Sequence, residues 1–360
     1  MNRLASLHEL GGQSPWLDYL RRDHLEDGTI DELVARGVRG LTSNPAIFEA
    51  ALNGTNAYDR DIDAAAYGGV PAESVFWDVA CADVSAAADI FSDLHRMSDG
   101  SDGFVSIEVD PRLAHDATGT VDQATALWSR LSRPNVMIKV PATPSGVIAT
   151  EELIAQGINV NVTLIFGLRR YSEVMDAHVR GVRRLADSSP LGTPIRVASV
   201  ASFFVSRVDS RLDPLLPVEL QGRAAVAQAS LAWKLSTERY SHADWLDVSA
   251  RGARPQRPLW ASTSTKNPSY PDTKYVDALV APGTVNTIPL QTLRAFEDHG
   301  SPLPSLEQGL ERAAVEWARI CELVDTDALA HRLEKEGVEA FSSSIDSAVS
   351  TIASRLESTT

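Results

Sequence analysis

Apolar and polar positions fall into two alternating patterns along this chain. Runs rich in apolar and β-branched residues recur at Gly103–Asp110 (GFVSIEVD), Asn135–Ala142 (NVMIKVPA), Asn159–Phe166 (NVNVTLIF) and Ile195–Phe204 (IRVASVASFF). Weaker runs stand at Trp16–Leu20, Val38–Asn44, Arg257–Thr263 and Thr284–Pro289. Near-continuous apolar runs of this kind suit strands that are covered on both faces, as in a parallel sheet.

Between these runs the apolar residues recur three and four positions apart, the period of a helix with one buried face. Ala72–Met97 sets Val75, Val79, Ala82 and Ala86 on one stripe. Val121–Leu131 and Thr150–Gln156 follow the next two strands, with Gly157 placed as a C-cap. Leu168–Leu185 is a longer helix with arginine and glutamate on its outer face, and Ala224–Tyr240 lies in the longest gap, Arg207 to Arg257, where an elaborated crossover is expected. The tail reads as Ser305–Val324 followed by Asp325–Leu356, two or three helices joined at Gly337.

Strand alternating with helix predicts parallel βαβ units, and about eight of them predict a closed barrel more readily than an open sheet. The expectation is therefore an α/β protein: a single (β/α)8 TIM barrel domain over residues 1–360, with additional N- and C-terminal helices. Residues 305–360 are expected to cover the barrel.

Composition narrows the function. A chain of 360 residues, 44% hydrophobic, can bury one such barrel with insertions. Its formal charge of -15 repels phosphodiester backbones, so no nucleic-acid partner is expected. Small phosphorylated metabolites remain possible, because one or two local cations suffice for them. The two cysteines, Cys81 and Cys321, are far apart and read as reduced thiols. The first ten residues carry His8 and Glu9 and no apolar core of a leader, and no stretch reaches the ~20 apolar residues of a spanning helix. A cytoplasmic protein without a membrane partner is expected, as a monomer or a homodimer. The eight histidines have no ligand-like spacing, and GxxxxGK[ST], HExxH, paired CxxC and GxSxG are missing from the sequence. Neither a metal nor a cofactor is expected, and nucleotide, zinc-protease and serine-hydrolase chemistry lose their main signatures.

Several strands place polar residues on one face near their C-terminal ends, where barrel enzymes keep their active sites. Lys139 alternates with Met137, Glu108 shares a face with Ser106, Asn161 pairs with Thr163, Thr42 with Asn44, and Ser262 with Trp260 and Ser264; Asp18 follows Trp16. A ring of such residues, each at the end of a different apolar run, points to a site. A lysine inside an apolar strand must either pair with a carboxylate or lose its proton. In the first case Lys139 and Glu108 form a structural ion pair. In the second the neutral amine can attack a carbonyl to form an imine, and a buried Glu108 can act as general acid and base. Asp18 by itself reads first as a solvated turn residue or a helix cap, Asn44 before Pro45 as a helix N-cap, and Asn161 and Thr163 as satisfied core polars. Arg207 and Ser262 could anchor a phosphate with Lys266 in the loop beyond, or Arg207 could make a surface salt bridge and Lys266 lie solvated.

The blocks TSNPAIF (Thr42–Phe48), VSIEVDPRLAHD (Val105–Asp116), MIKVPAT with Gly146 after it, GINVNVTLIF (Gly157–Phe166) and SFFVSR (Ser202–Arg207) resemble the transaldolases. PLWASTSTKNP (Pro258–Pro268), TVNTIP (Thr284–Pro289) and GVEAF (Gly337–Phe341) are similar to a longer, actinobacterial-type branch of that family. The resemblance implies a class I aldol transfer on a barrel circularly permuted relative to other class I aldolases. Lys139 would form the Schiff base with sedoheptulose 7-phosphate or fructose 6-phosphate and carry the dihydroxyacetone unit. Asp18 would take the C4 hydroxyl proton, and Glu108 would move protons through a water held with Thr163. Asn44 and Asn161 would hold the three-carbon unit, Ser202 its hydroxyls, and Arg207 with Ser262 the phosphate. The shorter transaldolases carry an arginine where this chain has Ser264, and Lys266 is the substitute expected here. An aldolase that releases dihydroxyacetone, and a catalytically silent barrel acting as a binding protein, are the competing readings.

Overall fold

The computed structural model describes residues 2–359. Eight strands form a closed barrel in chain order: β1 (Ser14–Asp18), β2 (Gly40–Thr42), β3 (Phe104–Glu108), β4 (Val136–Pro141), β5 (Val160–Ile165), β6 (Ser199–Phe204), β7 (Arg257–Ala261) and β8 (Val285–Ile288). Every neighbouring pair is parallel, and β1 closes against β8. The expected (β/α)8 architecture is thus the one observed. The strands β2 to β6 and β8 are buried at every position, which is why they read as apolar runs rather than as alternating ones.

The lower barrel is packed and tied by charge. Gly40 lies against the indole of Trp16, where an added Cβ would stand 2.6 Å from the ring, so only glycine fits. Below it the buried Asp102 accepts hydrogen bonds from Ser14 (2.8 Å), Trp16 Nε1 (3.2 Å) and Arg39 (2.7 Å), and pairs with Arg257 (3.2 Å). Burial opposes ionisation of Asp102, but Arg257 and Arg39 outweigh it and hold the carboxyl below its ordinary range.

Some boundaries differ from the sequence expectation. The first strand ends at Asp18 rather than Leu20, and β6 begins at Ser199 rather than Ile195. The helices after β3 and β4 start earlier than expected, at Ala117 and Pro144. Asp116 and Thr143 cap them by accepting from Gly119 N and Gly146 N, each at 3.0 Å, so a glycine in the first turn hid both starts. The pattern read as Ala72–Met97 breaks at Phe91 into Ala72–Ile90 and Ser92–Met97.

The tail corrects one expectation outright. Leu310–Leu323 is followed by one unbroken helix, Thr326–Thr359, with no joint at Gly337. That glycine serves a close approach: an added Cβ would stand 2.8 Å from Leu164 Cδ2 of β5. Leu164 has φ +59°, at the place where the β5–β6 register shifts. The C-terminal helix packs along the helices Pro45–Gly54, Asp59–Gly68 and Ala72–Ile90. Among the described residues no helix is long and apolar enough to cross a membrane.

Candidate active site

Strand register brings the first group together. Glu108 on β3 lies opposite Lys139 on β4, and Lys139 lies opposite Asn161 on β5, so the three side chains share one level and one face. Lys139 Nζ stands 3.3 Å from Glu108 Oε2 and donates to the carbonyl oxygen of Ser43, also at 3.3 Å. The contact with Glu108 is at ion-pair range, but neither oxygen of Glu108 has an aligned hydrogen-bond partner among the described residues. Burial pushes the Glu108 carboxyl up to about 7 against the partial opposition of Lys139. The Thr163 hydroxyl, two residues above Asn161, is likewise buried without a partner. Buried oxygens of this kind bind an ordered water or a ligand in folded proteins.

Polar contacts fix the neighbours. Ser202 Oγ donates to Asn161 Oδ1 at 2.7 Å, and Asn161 Nδ2 donates to Ser106 Oγ at 3.1 Å, which fixes the orientation of that amide. Asp18 closes β1 and accepts from Thr42 Oγ1 at 2.8 Å; Thr42 in turn is 2.5 Å from Thr287 Oγ1. Burial raises the Asp18 carboxyl above its ordinary range, with Lys139 and the Thr42 hydroxyl pulling it part of the way back. Its place as the last residue of β1 excludes the turn reading. Asn44 does cap the helix Pro45–Gly54, accepting from Ile47 N at 3.0 Å, while also facing the pocket described below.

The opposite wall is cationic. Arg207 sits on the helix Ser206–Leu212 with its guanidinium carbon 5.4 Å from the centre of the Phe204 ring. It forms no ion pair among the described residues, contrary to the surface salt-bridge reading, and burial lowers its pKa. Ser262 follows β7 with φ +57°, and its hydroxyl is 2.9 Å from that of Ser206. Such strained backbone at a strand end tends to mark functional sites. Lys266 is exposed at the rim and donates to Ser264 Oγ at 2.8 Å; enclosure by the mouth, then the charge of Arg207, lowers its pKa.

One pocket of about 380 Å³ opens at the C-terminal end of the barrel. Asp18, Asn44, Lys139, Ser202, Arg207, Ser262 and Lys266 all line it. Glu108, Asn161 and Thr163 do not; Glu108 and Asn161 reach its lining through Lys139 and Ser202. Sequence reasoning missed Arg21, Thr287, Phe204 and Phe341, which also line the cavity. Thr287 follows the alternation of β8 and could have been found by it. Phe341 lies on the C-terminal helix at helical spacing from other apolar residues, a pattern that reads as ordinary core.

Comparison with known proteins points to one family. The family model described as Transaldolase/Fructose-6-phosphate aldolase matches residues 15–352. A transaldolase of Thiobacillus denitrificans is 45% identical, with 92% of this chain and 95% of its own length aligned. A transaldolase of Frankia alni is 44% identical over 99% of this chain and 98% of its own. One from Mycolicibacterium smegmatis is 44% identical over 95% and 94%. With a family match along nearly its whole length, and a lysine–carboxylate pair under a cation-walled barrel pocket, this chain belongs to the transaldolase/fructose-6-phosphate aldolase family.

Proposed function

We propose that the protein is a transaldolase, which moves a dihydroxyacetone unit between sugar phosphates through a Schiff base on Lys139. The donor is sedoheptulose 7-phosphate or fructose 6-phosphate, and the acceptor is glyceraldehyde 3-phosphate or erythrose 4-phosphate. The observation that carries the reading is the pairing of Lys139 with Glu108 at 3.3 Å, where Lys139 lines the pocket that Arg207 and Lys266 also line.

The chemistry follows from the groups present. The neutral amine of Lys139 adds to the ketose C2 carbonyl, and loss of water gives a protonated imine. Glu108, with its carboxyl near neutrality, takes and returns the protons of these steps, with Thr163 holding the water between them. Asp18 then accepts the C4 hydroxyl proton, the C3–C4 bond breaks, and the electron pair passes into the imine as an enamine. The aldose phosphate leaves. A new aldehyde accepts the enamine carbon, and the steps reverse. Because the imine is the electron sink, the chemistry asks for no cofactor.

Binding roles divide along the pocket. Asn44, Asn161 and Ser202 hold the three-carbon unit, with Ser202 and Asn161 locked to each other at 2.7 Å. Arg207 and Ser262 take the phosphate, and Lys266 supplies the second charge where shorter relatives have an arginine; its bond to Ser264 supports that substitution. We take residues 1–360 as one barrel domain with 305–360 as its cover. The free thiols Cys81 and Cys321 suit a cytoplasmic setting.

The test is product analysis with fructose 6-phosphate. A transaldolase gives sedoheptulose 7-phosphate when erythrose 4-phosphate is supplied and little free dihydroxyacetone. Steady release of dihydroxyacetone independent of acceptor would identify an aldolase instead. No turnover with either donor would leave a binding protein.

A further inference from the structure

The C-terminal helix does more than cover the barrel from outside. Phe341 projects from it into the pocket, is 5% exposed, and sets its ring centre 5.7 Å from Lys139 Nζ. Glu108 and the Ser43 carbonyl approach the same nitrogen at 3.3 Å each, so the amine is held between a polar pair and an aromatic face.

The ring is held there by the packing of its helix. Gly337, one turn earlier, lets the helix press against Leu164 of β5, the residue after Thr163. Leu333, Val338 and Ile345 are buried on either side of it. Arg170 to Glu334 at 3.2 Å and Arg211 to Glu336 at 2.6 Å latch the same stretch to the helices after β5 and β6. Phe341 is thus fixed over the nitrogen by a close backbone approach and two ion pairs.

We infer that Phe341 is a positioning and specificity-determining residue that decides whether the lysine-bound three-carbon unit is transferred or lost to water. The inference rests on the Schiff-base reading of Lys139. After cleavage the bound enamine has two fates. Its carbon can attack an aldehyde, forming the new C–C bond. Alternatively that carbon takes a proton, water adds to the imine carbon, the C–N bond breaks, and dihydroxyacetone leaves with the amine of Lys139 regenerated. The second route needs water beside the imine carbon. An apolar ring over the nitrogen excludes that water, and its face attracts the cationic imine.

The experiment compares the unsubstituted chain with Phe341→Ala and Phe341→Leu. For each, borohydride trapping with fructose 6-phosphate is measured beside the ratio of free dihydroxyacetone released to sedoheptulose 7-phosphate formed at fixed erythrose 4-phosphate. Phe341→Ala should still give the lysine adduct but raise the release ratio about tenfold, the order a desolvated cation–π contact supplies. Phe341→Leu keeps apolar bulk without a π face and should fall between. A release ratio within twofold of the unsubstituted chain in Phe341→Ala that still forms the adduct, or in Phe341→Leu where it alone forms the adduct, would overturn the inference. Loss of the adduct in both variants, each remaining folded, would also overturn it. Absence of an adduct in the unsubstituted chain would instead defeat the Schiff-base reading, and this inference with it.

Discussion

Lys139 Nζ stands 3.3 Å from Glu108 Oε2, on paired positions of adjacent strands and with both side chains almost fully buried. Burial raises the Glu108 carboxyl to about 7. Below that pH Glu108 keeps its proton and cannot accept another during imine formation; above it the carboxylate is free to act as the base. kcat/KM for fructose 6-phosphate should therefore rise with pH through about 7. Glu108→Gln should lose that acid limb as well as most activity. A variant profile that keeps the limb would assign it elsewhere.

Lys139→Arg should keep the fold and lose exchange by at least about 10³-fold, because a guanidinium stays protonated and cannot attack a carbonyl. Thermal melting separates the two effects. An unchanged Tm with residual activity above that level would count against the assigned nucleophile.

Asp18 accepts a hydrogen bond from Thr42 at the mouth and is assigned to C–C cleavage, not to imine formation. Asp18→Asn should reduce exchange about 100-fold or more, the usual scale for a general base, while borohydride still traps the sugar on the protein. Loss of trapping would move Asp18 to an earlier step.

Among the described residues Arg207 pairs with no carboxylate, and it lines the pocket. Arg207→Ala should raise KM for fructose 6-phosphate about tenfold or more through loss of a charge-assisted contact, with little change for unphosphorylated fructose. Lys266→Ala should act in the same direction and more weakly, since its side chain is largely exposed. Equal losses for both sugars would remove the phosphate assignment.

Asp102 ties Ser14, Trp16, Arg39 and Arg257 at the far end of the barrel. Asp102→Ala leaves two arginines facing each other without their anion and should cost about 3 kcal/mol. Denaturant melting should show this, whereas KM should hold, because that end of the barrel serves stability.

Much of this was legible in the sequence because parallel barrel strands are covered on both faces. All eight runs overlap strands, including the weak ones at Val38–Asn44 and Thr284–Pro289, and only the first is displaced, its strand beginning at Ser14. The lysine and Glu108 stood out because a charge in such a run demands a reason. The sequence left the ion-pair and catalytic readings open, and the structure shows why: the pair exists, and its lysine lines a pocket. Long-range closeness was not legible. Gly337 reads as a helix breaker when only its neighbours in sequence are considered, whereas its task is contact with Leu164, 173 positions earlier by residue number. Phe341 and the Asp102 knot depend on packing between distant segments in the same way.

The central claim is that Lys139 binds the sugar covalently. Incubation with fructose 6-phosphate, reduction by borohydride and peptide mass spectrometry locate the adduct directly. A single reduced three-carbon or six-carbon adduct on the peptide containing Lys139 is the result expected. Labelling at another lysine, or none at saturating sugar, would contradict the account.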